Sequence, residues 1–340
     1  MADAKTLLVT GGCGFIGSNF IHYIRGRYPT YHIINLDKLT YCGNLESVCQ
    51  FEGDDSYAFI RGDVADREVV RDILRGGDVD AIVNFAAESH VDRSIESPDV
   101  FLRTNVLGTQ VLMDEAVEHQ VPLFIQISTD EVYGSLGSTG FFCEGDSLQP
   151  NSPYAASKAA ADLLVRAYLK TYGLPAVITR CSNNYGPYQF PEKLIPLIIS
   201  NAMENAELPV YGDGLNVRDW IYVDDHCGAI DAVLHRGRPG AIYNIGGNCQ
   251  RTNLDVVRTI LTVLDKSESL IRFVTDRPGH DRRYAMDYSL LKEELGWEPH
   301  VNFEEGIRRT IQWYQDHEDW WRNIKSGEYR EYYQRMYGDR

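Results

Sequence analysis

Short apolar runs alternate with helical stretches through the first half of the chain, and that alternation sets the expected architecture. The runs at 5–10, 32–37, 57–62, 80–86, 123–128 and 175–180 are nearly continuous in apolar residues, as strands buried on both faces must be. Another run of this kind lies at 241–246. Between them, a 3.6-residue period predicts helices over 16–27, 66–75, 99–119 and 155–172. In the first helix Phe20, Ile21 and Ile24 share the face that should cover the sheet. Such alternation predicts an α/β protein, a Rossmann-type doubly wound parallel sheet with crossover helices.

After Gly186 the strict alternation ends. Pro187, Pro191, Pro196, Pro209, Gly212 and Gly214 crowd one stretch, and the last 90 or so residues mix helices with turns. Residues 1–186 are therefore expected to form the dinucleotide-binding domain. Residues 187–340 are expected to form a smaller α/β substrate-binding lobe, with the strand at 241–246 crossing back to the main sheet. Trp313, Tyr314, Trp320 and Trp321 read as packing beneath a C-terminal helix. A Tyr-rich tail at 329–337 has no assigned role.

Composition narrows the partners. The 340 residues are 44% apolar, enough for a large core, and Lys+Arg 33 against Asp+Glu 49 leaves a net charge of −16. So acidic a chain is a poor ligand for nucleic acid or an anionic membrane, and an anionic substrate would need local arginines and lysines. Seven scattered cysteines, without C-x-x-C, read as reduced thiols in a cytoplasmic protein. The apolar run at the N-terminus is too short for a signal peptide or a membrane span and fits a first strand. No metal is expected.

The chemistry begins at Gly11-Gly12-Cys13-Gly14-Phe15-Ile16-Gly17, between the first strand and the first helix. Gly11 suits a tight turn, Gly14 lets the backbone approach a pyrophosphate, and Gly17 lets the helix pack on the strand. The helix start then holds phosphate with free N–H groups and its dipole. Twenty residues past Gly17, Asp37 ends the second strand. A carboxylate there accepts ribose hydroxyls and repels a 2′-phosphate, so NAD is expected over NADP. Asp63 and Val64 could contact adenine, although a strand-end Asp equally suits capping the next helix. Phe85-Ala86-Ala87 ends the fourth strand with small residues that let a flat cofactor lie across it, while Glu88 and His90 read as structural.

Two further runs carry reacting groups. Ser128-Thr129-Asp130-Glu131 puts a hydroxyl and two carboxyl groups at the end of the fifth strand, where parallel sheets bind ligands. Tyr154 and Lys158, four apart after Pro153, share one helical face. An ammonium beside the phenol would lower its pKa and make it a usable base. Two neighbouring carboxyl groups do not both ionise easily, so one is expected as acid and the other as base.

These residues resemble the extended short-chain dehydrogenase/reductase family, and within it the nucleotide-sugar 4,6-dehydratases. The resemblance runs through GGCGFIGSNF, INLDKLTY, FAAESHVDRSI, STDEVYG, SPYAASKA, TRCSNNYGP, PEKLIPL, VYGDGLNVRDWIYV, YNIGG and DRPGHDRRY, nearly the whole chain. It implies dTDP-glucose as substrate, oxidised at C4, stripped of water across C5 and C6, and reduced at C6, with NAD regenerated. Thr129, Asp130, Glu131, Tyr154 and Lys158 would be the catalytic group. The cofactor set would extend to Lys38, Thr40, Ser89, Thr104 and Asn184. Substrate would meet Ser89, Asn183, Lys193, Leu194, Arg218, Asn253, Asp276 and His280, with Pro209, Val210 and Tyr211 lining a base pocket near Tyr284. The helices at 99–119 and 155–172 would pair two subunits into a homodimer. A nucleotide-sugar 4-epimerase shares the loop, Tyr154 and Lys158 but leaves Asp130 and Glu131 without work. A UDP-glucose 4,6-dehydratase differs only in the base recognised. A catalytically silent NAD-binding scaffold would tolerate loss of Thr129, Tyr154 or Lys158, and all three are present.

Overall fold

The computed structural model describes residues 4–326, so the Tyr-rich tail lies outside the described residues. Seven parallel strands form the main sheet: β1 (Thr6–Thr10), β2 (His32–Asp37), β3 (Tyr57–Arg61), β4 (Ala81–Asn84), β5 (Phe124–Thr129), β6 (Ala176–Cys181) and β10 (Ile242–Ile245). Their order is β10-β6-β5-β4-β1-β2-β3. Chain direction reverses its march across the sheet between β1 and β4, and the gap this opens at the strand ends is where such sheets bind ligands. Helix Phe15–Arg27 buries Phe20, Ile21 and Ile24 against the sheet. It also packs on helix Val223–Arg236, whose Ile230 and Val233 are fully buried. The sheet and its covering layer thus draw on residues beyond 186.

Two expected elements differ in detail. The run at 80–86 stays in the sheet only to Asn84. There Phe85 N–H donates to the Thr10 carbonyl at 3.1 Å and Ala86 N–H to the Thr10 hydroxyl at 3.3 Å, turning the chain across the end of β1. The helix expected at 99–119 is three consecutive pieces: Pro98–Phe101, a π-helical segment Leu102–Gly108, and Thr109–Glu118. The extra residue per turn fits the work of Asn105. Its amide donates to the Glu88 carbonyl at 3.0 Å and the Ser157 hydroxyl at 2.8 Å, while its oxygen accepts from Glu88 N–H at 2.9 Å. One side chain therefore ties the loop after β4 to helix Pro153–Tyr172.

A buried polar ladder fixes the strand ends from below. Thr10 donates to Asn84 at 2.6 Å, and Asn84 donates to Gln126 at 2.9 Å, joining β1, β4 and β5. Satisfied in this way, the groups cost little and hold the rim of the site rigid.

The second lobe has two small sheets. β7 (Asn183–Tyr185) and β11 (Gln250–Thr252) flank β9 (Val217–Tyr222), and β8 (Leu208–Tyr211) pairs with β12 (Ile271–Val274). Helices Leu194–Met203, Asn253–Leu264 and Phe303–Asp316 close a core of Ile198, Ile199, Val256, Ile260, Ile307 and Ile311. Tyr314, Trp320 and Trp321 are buried in it, with Trp313 packed against them, so the aromatic run is packing. The seven cysteines are free thiols. Among the described residues no helix is long and apolar enough to cross a membrane.

Candidate active site

The carboxyl ends of β1, β2, β4, β5 and β6 open on one continuous cleft. Gly11, Gly14, Phe15, Ile16, Gly17, Asp37, Lys38, Thr40, Asp63, Val64, Phe85, Ala86, Ala87, Ser89, Thr104 and Asn184 all line it. So do Thr129, Asp130, Glu131, Tyr154 and Lys158, together with Asn183 and Lys193.

The glycine loop is shaped for a phosphate group. Gly11 has φ +70°, and a Cβ there would sit 2.7 Å from Ala86 N. A Cβ on Gly17 would meet the Gly11 carbonyl at 2.3 Å, so helix and strand approach as closely as glycine allows. On Gly14 a Cβ would meet only that carbonyl, at 3.3 Å, leaving a cradle that any side chain would fill. Gly14 is the N-cap of the first helix and no side chain caps it, so the first-turn N–H groups remain for an anion.

At the end of β2, Asp37 accepts Cys13 N–H at 2.9 Å through one oxygen and Leu39 N–H at 2.8 Å through the other. Burial raises its pKa and these two bonds oppose the rise. The loop and the carboxylate fit a dinucleotide with free ribose hydroxyls. Asp63 serves its neighbours as well: one oxygen accepts Ala65 N–H at 2.9 Å and the other lies 2.9 Å from Lys38 Nζ.

The reacting groups converge at β5. Thr129 ends the strand, and Asp130 and Glu131 begin a 3₁₀ turn (Asp130–Tyr133), with Glu131 N–H donating to the Thr129 hydroxyl at 3.3 Å. Asp130 is 2% exposed, and its Oδ2 has no hydrogen-bond partner. Burial, then the Glu131 charge, raises its pKa well above the usual carboxylate range. Glu131 is only partly buried. Burial raises its pKa too, but Arg277, Arg218 and Lys193 pull it back. Of the two, Asp130 is held the more strongly to its protonated form, a difference in the sense that an acid and a base require.

Tyr154 stands on helix Pro153–Tyr172, packed edge-on against Phe101 with ring centres 6.3 Å apart. The expectation that Lys158 lowers the phenol pKa is not met. Burial, followed by the Glu131 charge, raises it well above the usual value, while a hydrogen bond with Thr129 opposes the rise. Lys158 Nζ is committed elsewhere, donating to the Ile127 carbonyl at 2.7 Å.

The expected substrate contacts divide into two groups. Ser89, Thr129, Asp130, Glu131, Asn183 and Lys193 line the cleft, and Lys193 Nζ donates to the Ser89 carbonyl at 2.8 Å. Among the described residues Asn183 Oδ1 and Asn253 Oδ1 are buried without hydrogen-bond partners. Leu194, Pro209, Tyr211, Arg218, Asn253, Asp276, His280 and Tyr284 do not line that cleft and belong to the second lobe. Arg218 is buried, its guanidinium 4.3 Å from the Tyr284 ring centre and donating to the Asp281 carbonyl at 2.9 Å. Tyr284 donates to Asp281 Oδ2 at 2.5 Å. Tyr211 donates to Asp92 at 3.0 Å, and Asp276 binds the His280 ring at 2.6 Å. Leu194 opens helix Leu194–Met203 and packs against the lobe core. Val210 is a correction. It is 1% exposed inside that core, because alternation along β8 turns it away from the face that Tyr211 occupies.

Sequence reasoning missed Arg277 and Asp92, which pair at 3.2 Å with Arg277 acting on Glu131. It also missed Glu192, whose side chain is fully buried, accepting from Tyr41 at 2.9 Å and Arg93 at 3.3 Å. Arg277 stands in the DRPGHDRRY run, so the signal was there without a reason to prefer it over Arg282 and Arg283.

Residues 8–310 match the family model described as GDP-mannose 4,6 dehydratase. The chain belongs to that family. A dTDP-glucose 4,6-dehydratase of Xanthomonas campestris pv. campestris (strain B100) is 52% identical, with 96% of this chain and 97% of the relative covered. Crystal structures of dTDP-glucose 4,6-dehydratases show the same fold. The Streptomyces venezuelae enzyme, solved with NAD bound, superposes with a TM-score of 0.92 at 50% identity, covering 94% of this chain and all of that one. The enzyme of Bacillus anthracis, in complex with NAD, gives 0.89 at 53% identity over the same shares. The seven-stranded parallel sheet is thus the NAD-binding Rossmann-type sheet of these dehydratases.

Proposed function

We propose that this chain is an NAD-dependent dTDP-glucose 4,6-dehydratase, converting dTDP-glucose to dTDP-4-keto-6-deoxyglucose and water. The observation that carries the reading is the pair Asp130 and Glu131 at the end of β5, beside Tyr154, with environments that separate an acid from a base. An epimerase would have no use for that separation.

NAD would be held by the glycine loop, Asp37 and Lys158, and would supply the acceptor for hydride from C4 and its return to C6. Tyr154 takes the proton of the 4-hydroxyl, whose oxygen Thr129 holds. A phenol whose pKa is raised by burial needs added positive charge nearby, which an oxidised nicotinamide would supply. The ketone at C4 acidifies the C5 proton. Glu131 removes it, Asp130 gives its own proton to the C6 hydroxyl, which leaves as water, and a proton returns to C5 as hydride returns to C6. The arginines Arg218 and Arg277 suit a diphosphate, for which the guanidinium fork matches paired oxygens. They supply the local positive charge that a chain of net charge −16 requires.

The enzyme works in the cytoplasm as a homodimer on this reading. Support comes from Leu102, Leu107 and Leu163, exposed on two helical segments that pack together. In analytical ultracentrifugation Leu163→Glu should move the protein towards monomer, and an unchanged sedimentation coefficient would overturn the pairing.

Separate incubation with dTDP-glucose, UDP-glucose and CDP-glucose tests the activity. Mass spectrometry should find loss of one water from dTDP-glucose ahead of the others. Unchanged mass with C4 inverted would mean an epimerase, and preferred dehydration of UDP-glucose would reassign the base.

A further inference from the structure

Behind the cleft lies a buried ion pair that the proposed reaction does not use. Asp162 is one helical turn beyond Lys158 on helix Pro153–Tyr172, and Arg180 is on β6. Arg180 Nε donates to Asp162 Oδ2 at 2.9 Å. Its Nη1 donates to the Tyr133 hydroxyl at 2.8 Å, and Tyr133 donates to Asn244 Oδ1 at 2.8 Å. Asp162, Arg180, Tyr133 and Asn244 are 2%, 3%, 3% and 0% exposed. A buried pair of this kind is weak support for stability, since apolar residues of equal volume commonly serve the fold as well. Its position next to a buried lysine suggests another use.

Lys158 is 3% exposed and has one hydrogen bond, to the Ile127 carbonyl of β5. Such burial favours the neutral amine. The charged or titratable groups that face it are Asp162, from its own helix, and Cys181, from β6. Burial and the Asp130 carboxyl push the Cys181 thiol up to about 12, so it stays neutral. Among the described residues Asp162 is the carboxylate that favours the charged amine. Burial raises the pKa of Asp162 in turn, and Arg180 pulls it back.

We propose that Asp162, fixed by Arg180 one helical turn beyond Lys158, is a positioning residue that favours the ammonium form of Lys158. The inference rests on the reading of Lys158 as part of the reacting group. Lys158 then keeps both its hydrogen bond to β5 and its charge towards the cofactor ribose across the working pH range.

The test is the pH profile of kcat for dTDP-glucose with the holoenzyme. Asp162→Asn leaves Arg180 unpaired and could unfold the protein, so Asp162→Asn/Arg180→Met is measured beside it. The expected result is a loss that grows with pH, about tenfold greater at the alkaline end of the profile than at neutrality, as Lys158 loses its proton earlier. Adding Asp162→Asn to Lys158→Met should then leave the residual profile unmoved. A folded double variant whose loss is the same at every pH would overturn the proposal. If Lys158→Met itself turned over normally, the reading of the site would fail instead, and this inference with it.

Discussion

The strand-end edge of the cleft and the face of the second lobe proposed to hold substrate are built in opposite ways. Along the first, each functional group sits at the end of a strand or the start of its helix, so one short run of sequence sets its position. Gly11 to Gly14 form a single turn that leads straight into helix Phe15–Arg27, and Thr129, Asp130 and Glu131 lie at a single strand end. The face of the second lobe is assembled from distant pieces. Tyr211 reaches Asp92 across 119 residues, Arg277 reaches Asp92 across 185, and Arg218 meets Asp281 across 63. Local geometry governs the first region and tertiary packing the second. Damage to the first should therefore stop chemistry while binding survives, and damage to the second should weaken binding first.

The largest effect is expected at Tyr154. Tyr154→Phe keeps the ring against Phe101 and removes only the proton acceptor, so kcat should fall by roughly 10²–10⁴ while the protein stays folded and retains NAD. Turnover within about threefold of wild type would remove Tyr154 from the chemistry.

Next come the two carboxyl groups. C4 oxidation needs neither directly, so Glu131→Gln or Asp130→Asn should let hydride reach NAD and then stall. Stopped-flow absorbance should show NADH accumulating while water loss drops by roughly 10² or more. The pH dependence follows from the raised pKa values. Water loss should fall in acid as Glu131 gains its proton and in alkali as Asp130 loses its own. Equal slowing of NADH formation and water loss would make the carboxyl groups substrate holders.

The contrast also explains what the sequence could reveal. All seven main strands, the glycine loop and the acid–base pair depend on apolar runs and fixed short spacings, which a single chain displays openly. The break in the helix at 102–108 was hidden, because it depends on Asn105 meeting Glu88 and Ser157 from other segments. Val210 was misplaced for the same reason, since β8 has no face until β12 and the lobe core give it one. The direction of the Tyr154 shift needed the depth of burial and the distance to Glu131, and spacing along a helix contains neither.

Cofactor choice sharpens the local side of the comparison. Denatured protein should release NAD, because Asp37 would face the 2′-phosphate of NADP. Asp37→Ala should narrow the preference for NAD by about tenfold, measured by the affinity of refilled apoenzyme for each dinucleotide. NADP as the main dinucleotide released would refute the role of Asp37. On the tertiary side, Arg218→Lys keeps the charge but loses the fork and its stacking on Tyr284. KM for dTDP-glucose should rise about tenfold with kcat little changed. A fall in kcat without a change in KM would place Arg218 with the reacting groups instead.

The smallest effect concerns stability, and it has the opposite sign. Asp130 is held in a dry site with one oxygen unpartnered, and its folded pKa is raised by burial and by Glu131. A raised carboxyl pKa means that the folded protein binds a proton which the unfolded chain releases. Below the unfolded value, near 3.9, both states are protonated and the group costs nothing. As pH climbs above it, the unfolded chain ionises while the folded protein cannot do so cheaply, and stability is lost. Asp130→Asn removes that loss, since the amide fills the same space and never ionises. Scanning calorimetry at neutral pH should give the variant a Tm higher by on the order of 2 °C, with the gap closing towards pH ~4. The dead variant would then be the more stable one, as expected where an active site stores strain for its chemistry. A lower Tm at neutral pH would mean that the Asp130 carboxylate is stabilising where it stands, and the assignment of Asp130 as the proton donor would lose its physical basis.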